Sequence, residues 1–332
     1  MTSANTRKTA ESAHQRLIEF VKTALIKIFV SPYATVCELY CVKVCDEEKW
    51  DEAQIGHYIG VDGVPSGVSD VRQAWESQRK TYTSHFLELD PCIENIELQS
   101  EDKGNMAEYC LLHAAFAGLS MFNCFCFETE ERVRRLLHNV SSLLKPGGFF
   151  LGITPDSSTI WAKYQKNVEA HHNKSGMKPN IVPNCIRSES CMITFEVEEE
   201  KFPFFGKKYQ LKLANDISAE THCLVHFPSL IRLSIILLSD PSTKCISTTC
   251  QNLTDSYDDN RAQFAGMLLD AGHSLVDPRG RHLSRSYDVL GLYTTFIFQK
   301  PDPDVAPPLM TPLLKDTNPI MTRQVFIIVR SI

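Results

Sequence analysis

An α/β fold built on a largely parallel sheet, with helices on both faces, is the class this sequence predicts. Three observations carry it. Apolar runs at 35–40, 57–62 and 83–89 alternate with helical patterns at 46–54 and 68–79, a βαβαβ order that calls for right-handed crossovers between parallel strands. Two of those runs end in an acid, Asp62 and Asp90. A helical pattern over 128–144 closes in Lys145-Pro146-Gly147-Gly148 and leads into another apolar run, 149–156.

The elements follow in order. Leu17, Val21, Ala24, Leu25 and Ile28 form one stripe and predict a helix over 11–29, which Ser31-Pro32 ends. The first strand, 35–40, enters the turn Cys41-Val42-Lys43-Val44-Cys45, and the charged helix 46–54 leaves it. An α/β fold presents a cofactor site in this way, at the carboxyl end of its first strand. Such a loop wants glycines, and here Val42 and Val44 stand in their place. A β-branched residue held at φ > 0 costs about 1–3 kcal/mol, and its side chain takes space that a ligand needs. The second strand ends at Asp62, whose carboxylate suits the paired hydroxyls of a ribose. Gly63-Val64-Pro65-Ser66-Gly67 reads as a turn, 68–79 as a helix, and 83–89 as a third strand with Asp90 at its end.

Residues 97–105 read as a polar loop, and 106–127 hold a fourth strand without a clean period. Over 128–144, Val133, Leu136, Leu137, Val140 and Leu144 share one side, opposite Glu130, Glu131, Arg134 and Arg135. The glycines that follow end the helix and turn the chain into a buried strand. A helix then runs from Ser157 to about Ala170. Strands at 191–198, 207–213 and 221–227 predict an antiparallel insertion, about 171–227, on top of the sheet. Helices at 228–238 and 257–271 and strands at 287–292 and 293–299 complete the fold, with 239–249 poorly patterned. The domain organisation is thus an N-terminal helix within 1–30, a main domain 31–300, and a Pro-rich tail 301–332.

Composition narrows the function. A 43% hydrophobic and 22% charged chain is that of a soluble globular protein, and its net charge of −6 supplies no global positive field for nucleic acid, although a local basic groove is compatible with it. The longest apolar candidates, 24–30 and 230–238, are too short to span a bilayer, and the polar first residues lack a signal-peptide core. The twelve cysteines include no C-x-x-C pair, and many sit inside apolar runs, which predicts reduced, buried thiols in an intracellular protein. No metal-ligating set is expected, His171-His172 reading as a polar loop.

Several blocks together resemble one family. Residues 36–50 stand where the eukaryotic mRNA cap guanine-N7 methyltransferases have Asp-Leu-x-Cys-Gly-Lys-Gly-x-Asp-x-x-Lys-Trp. Residues 55–62 resemble that family's second strand, and 127–148 its helix and Lys-Pro-Gly-Gly turn. Pro203-Phe204-Phe205-Gly206-Lys207-Lys208-Tyr209 resembles its Pro-x-Phe-Gly-x-Lys-Tyr insert, and 291–298 its final strand. The likeness spans about residues 10–300 and is to a plant-type form. It implies a Rossmann-like class I methyltransferase sheet, S-adenosylmethionine as methyl donor without a metal, and methyl transfer to N7 of the guanosine cap. It also implies the GpppN end of 5′-capped mRNA as substrate, proteins of the capping machinery as partners, no membrane, and a monomer in the nucleus.

Carried over residue by residue, Lys22 matches the lysine that reaches the donor's carboxylate, Asp62 the acid on its ribose, and Asp90 the acid beside its adenine. Val42 lies in the donor loop. Lys43 matches a lysine near the cap and Tyr293 a tyrosine of the cap pocket, while His222 falls where the family places a pocket glutamate. Lys43, Lys207 and Lys208 are the candidates for the cap triphosphate. No catalytic acid or base is expected. Guanine N7 carries an in-plane lone pair and no proton, so positioning and electrostatics are the catalytic terms. Each residue also has a structural reading: Asp62 as a helix cap, Asp90 as a turn residue, Tyr293 as core, Lys22 as a solvated lysine. Three departures predict weakened transfer or, as the alternative, a degenerate methyltransferase fold that binds capped RNA or partner proteins. These are Val42 with Val44, the lack of the family's donor-side glutamine in 109–126, and 234–250, whose pattern predicts a missing sixth strand.

Overall fold

The structure is a computed structural model that describes residues 13–42, 47–78, 80–96, 112–117, 126–172, 184–188, 191–196, 203–213, 219–238, 248–252, 292–302 and 304. The expected helix 257–271, residues 287–291 of the strand expected at 287–292, and the tail from 305 lie outside the described residues.

A seven-stranded sheet organises the chain. Helix α1 (Ala13–Phe29) leads into β1 (Thr35–Leu39), and α2 (Glu47–Glu52), β2 (His57–Asp62), α3 (Pro65–Ser77) and β3 (Thr83–Glu88) complete the first alternation. β4 is Leu112–Ala117. A 3₁₀ turn at Cys126–Glu128 precedes α4 (Glu130–Leu143), β5 (Leu144–Pro155) and α5 (Ser157–His172). β6 (Cys185–Arg187), β7 (Cys191–Phe195), β8 (Lys208–Leu213) and β9 (Glu220–Cys223) form a separate four-stranded antiparallel sheet, one strand more than the pattern predicted. Then come α6 (Phe227–Leu238), β10 (Thr248–Asn252) and β11 (Tyr293–Gln299).

The large sheet has the order β10-β11-β5-β4-β1-β2-β3. β1 pairs in parallel with β2 and with β4, and β5 in parallel with β4. β11 runs antiparallel to both β5 and β10. The expectation of a missing sixth strand is therefore corrected. Thr248–Asn252 pairs residue for residue with Thr294 to Phe298, and its strand identity comes from the partner's ladder, because its own polar sequence has no period. The Gly63–Gly67 turn is shortened as well. α3 begins at Pro65, whose fixed φ and missing N–H suit the first helical position.

Alternation along the strands sends side chains to two cores. Val36, Tyr58 and Phe86 join α1, α3, α5 and the small sheet on one face, where Tyr58 stacks on Trp75 with ring centroids 4.2 Å apart. Cys37, Leu39, Ile59 and Val61 join α4 and α6 on the other. Glu38, also fully buried in β1, accepts from the Tyr58 hydroxyl at 2.7 Å and Trp50 Nε1 at 3.2 Å, which a buried carboxylate requires. The Lys-Pro-Gly-Gly segment lies inside β5 as a bulge. Leu112 faces Leu144 and Ala114 faces Phe149, so the intervening residues loop out, with Gly147 at φ +77°. The six cysteines 37, 41, 92, 126, 191 and 223 are buried free thiols, and Cys185 is a half-buried one. No helix among the described residues is long and apolar enough to cross a membrane, and no group of His, Cys, Asp and Glu among them could hold a metal ion.

Candidate active site at the carboxyl edge of the sheet

After β1 the chain proceeds outward to β2 and β3, then returns to β4 on the other side of β1. That reversal opens a crevice beyond the carboxyl ends of β1 and β4, where open α/β sheets bind ligands. Tyr40 makes the turn into it. Its φ of +61° places it in the left-handed region, and its N–H donates to Val61 O at 2.6 Å. Val42 is not among the residues of positive φ, so the strain expected at this valine falls two residues earlier, on Tyr40. Val44 and Lys43 lie outside the described residues.

Asp62, 1% exposed, closes β2. Its Oδ2 accepts the Val42 N–H at 3.0 Å and its Oδ1 the Val64 N–H at 3.1 Å. The loop after β1 and the entry to α3 are thus held by one carboxylate. Val64, at the N-cap of α3, has no side-chain cap of its own, so Asp62 also serves the turn into the helix. The side chain of Val42 lies over Gly67 of α3, where an added Cβ would stand 2.3 Å from Val42 Cγ1.

Asp90 takes three donors. Oδ1 lies 3.1 Å from the Tyr40 hydroxyl and 2.9 Å from the Cys92 N–H, and Oδ2 is 3.0 Å from an Arg132 guanidinium nitrogen. The structural reading holds here, since Asp90 caps the turn at 91–94, and the residue stands at the sheet edge beside Tyr40. Asn139 of α4, fully buried, fastens the same turn through Pro91 O and Glu94 O, each at 2.8 Å. The Tyr40 hydroxyl also lies 2.9 Å from Cys92 Sγ, and Cys92 and Cys126 have their sulfurs 3.0 Å apart. Burial first, then the neighbouring thiols, raises the Tyr40 phenol above its ordinary value, and burial does the same to Cys126.

Lys22 is not on a solvated face. It is 2% exposed, with Nζ 3.3 Å from Glu19 Oε1, and Glu19 also pairs with Lys49 of α2. This chain of charges ties α1 to α2.

The residues expected at the cap sit on the small sheet and β11. His222 is 3% exposed, stacked on Tyr209 with centroids 5.6 Å apart, and its Nε2 is 3.6 Å from Glu220 Oε2. Tyr293 is buried at the start of β11, opposite Pro155, which realises its packing reading. Lys207 is buried with its ammonium 5.6 Å from the Phe195 ring centroid, so a free phosphate-binding role does not describe it. Lys208 remains half-exposed and pairs with Glu128 at 2.7 Å, holding Glu128 below the usual carboxylate range first by hydrogen bonding and then by charge. Sequence reasoning missed Tyr40, Gly67 and Arg132. Arg132 had one signal, its place three residues past the α4 N-cap Thr129, whose side chain accepts the Arg132 N–H.

Among known proteins, the mRNA cap guanine-N(7) methyltransferase 2 of Arabidopsis thaliana is 60% identical over 303 residues, covering 91% of this chain and 82% of its own. The protein of the same name in Oryza sativa subsp. japonica is 59% identical over 309 residues, covering 92% and 86%. Among solved structures, an S-adenosylmethionine-dependent methyltransferase from Clostridium acetobutylicum matches with 10% identity and a TM-score of 0.43, covering 88% of this chain and 94% of that one. The sequence profile described as the mRNA (guanine-N(7))-methyltransferase domain matches residues 3–258, and the chain belongs to that family.

Proposed function

We propose that this chain transfers a methyl group from S-adenosylmethionine to N7 of the guanosine cap of mRNA. Family membership supports the reaction class. The observation that carries the assignment to this chain is the Val42–Asp62 bond, with the donor loop seated on the buried acid at the end of β2 even though valine occupies its first glycine position.

The residues present fit the donor by their chemistry. Asp62 offers acceptors to a ribose diol, Asp90 an acceptor at the adjoining strand end, and Lys22 a buried cation on α1 for a carboxylate. When bound, S-adenosylmethionine would supply an electrophilic sulfonium methyl to the N7 lone pair, the C–S bond breaking with its electron pair kept on sulfur as a neutral thioether. The protein has no proton to move at N7. Its work is to hold donor and guanine in register and to exclude water, a contribution that effective molarity makes large. The exposed ring of Phe204, 4.8 Å from the His226 ring, supplies aromatic surface on the insert side for a purine, over a core in which His222 stacks on Tyr209. His226, its pKa lowered by burial, presents a neutral imidazole there at neutral pH. The proposal includes nuclear, monomeric action alongside capping-machinery proteins, which light scattering of the purified chain and imaging of a tagged copy test.

The deciding experiment is methyl transfer from labelled S-adenosylmethionine to GpppG-RNA, with free GTP as competitor. Label at N7, with GpppG-RNA preferred over GTP, is expected. Absence of donor binding at millimolar S-adenosylmethionine refutes the enzyme reading and leaves a binding protein of the same fold.

A further inference from the structure

Gly67 is the third residue of α3 and has a helical backbone without positive φ. Its conformation therefore gives no reason for glycine, and alanine is the better helix former at such a site. Its surroundings give one. A Cβ at this position would stand 2.3 Å from Cγ1, 3.0 Å from Cγ2 and 3.3 Å from Cβ of Val42, so the whole side chain of the valine sits over the bare Cα. A β-branched side chain is stiff about χ1 and has no long stem to bend aside. The only other route for the valine is movement of its backbone. That backbone is the segment whose N–H is fastened to Asp62 Oδ2, while Asp62 Oδ1 holds the start of the same helix.

We propose that Gly67 is a positioning residue for the methyl donor. Its missing side chain forms the socket that receives Val42, and the filled socket keeps the donor loop on Asp62. The assignment rests on the reading of Asp62 as the acid of the donor site. It also accounts for the valine at the first glycine position of the loop, because α3 receives the added bulk.

The test compares the full chain with Gly67→Ala, Val42→Gly and the double variant, by calorimetric titration of S-adenosylmethionine, by the KM and kcat of methyl transfer to GpppG-RNA, and by thermal melting. In the wild-type background Gly67→Ala lowers donor affinity about tenfold and raises the donor KM, with kcat changed by less than about threefold. It also lowers the melting temperature. In the Val42→Gly background the same substitution changes donor affinity by less than about threefold and raises the melting temperature, as alanine for glycine does in an unobstructed helix. This reversal of sign needs no donor and would not arise from a merely helical role. Gly67→Ala binding donor as wild type does, or an equal loss in both backgrounds, overturns the proposal. A wild-type chain that binds no donor overturns the reading of the site and this assignment with it, and it shows before any substitution is made.

Discussion

Replacing Asp62 by asparagine keeps the shape of the side chain and removes its charge. The carboxylate accepts two backbone N–H groups, from Val42 and Val64, at 3.0 and 3.1 Å, and is almost fully buried. An amide keeps one acceptor oxygen and turns its NH2 toward the other backbone donor, so one of the two bonds is lost and two donors face each other. A hydrogen bond to a charged group contributes about 1.5–3 kcal/mol, and a buried group left unsatisfied costs about 1–3 kcal/mol. Taking about 2 kcal/mol for loosening the loop, and about 1.4 kcal/mol per decade, donor affinity falls about thirtyfold from the clamp alone. Loss of an anionic acceptor for the ribose adds about 1 kcal/mol, bringing the total to about a hundredfold. Calorimetric titration of S-adenosylmethionine into wild type and Asp62→Asn measures this directly, with melting curves to establish that the variant is folded at the working temperature. A folded Asp62→Asn chain that binds the donor within threefold of wild type would refute both the clamp and the ribose role.

Three further outcomes follow from the same contacts. Tyr40→Phe removes the hydroxyl that lies against Asp90 and Cys92, and should cost about 1 kcal/mol, read as a fall of about 2–4 °C in melting temperature; an unchanged melt would show that this hydroxyl is dispensable. Lys208→Gln should return the Glu128 titration, followed by NMR, upward to the ordinary carboxylate range. Because Glu128 is depressed in the folded state, the pair's contribution is complete above the ordinary carboxylate pKa and is lost as pH falls through the lowered value, and with both side chains more than a third exposed it stays below about 1 kcal/mol. Burial pushes the thiols of Cys37 and Cys126 up and that of Cys223 to about 11, so iodoacetamide at pH 8 should spare all three in the native chain and modify them in urea, as peptide mass spectrometry would report.

The parts of the fold that sequence reasoning found are those whose signal is local. α4 declares itself through Val133, Leu136, Leu137 and Val140 on one face, all buried in the structure, and the glycines of the bulge that follows declare the break. β1, β2 and β3 are short apolar runs between helical ones, and their ends place Asp62 and Asp90 at one edge without any knowledge of contacts. The failures are non-local. β10 has no period of its own and is a strand because β11 offers it a ladder. Of the two readings of Lys22, only the solvated one fails: the side chain is 2% exposed, and α2 brings Lys49 to the same Glu19.

The amino-acid order by itself determined the α/β class, the resemblance to the cap methyltransferases, and the identity of the acids at the strand ends, because periodicity, turn chemistry and motif spacing are properties of neighbours in the chain. Tertiary structure alone decided what those residues do to one another. It moved the left-handed backbone from Val42 to Tyr40, set the Val42 side chain over Gly67, and joined the loop to Asp62 through a backbone N–H. Close packing and hydrogen bonding act between groups brought together in space, and no spacing along the sequence records whether a valine meets a helix or an empty pocket.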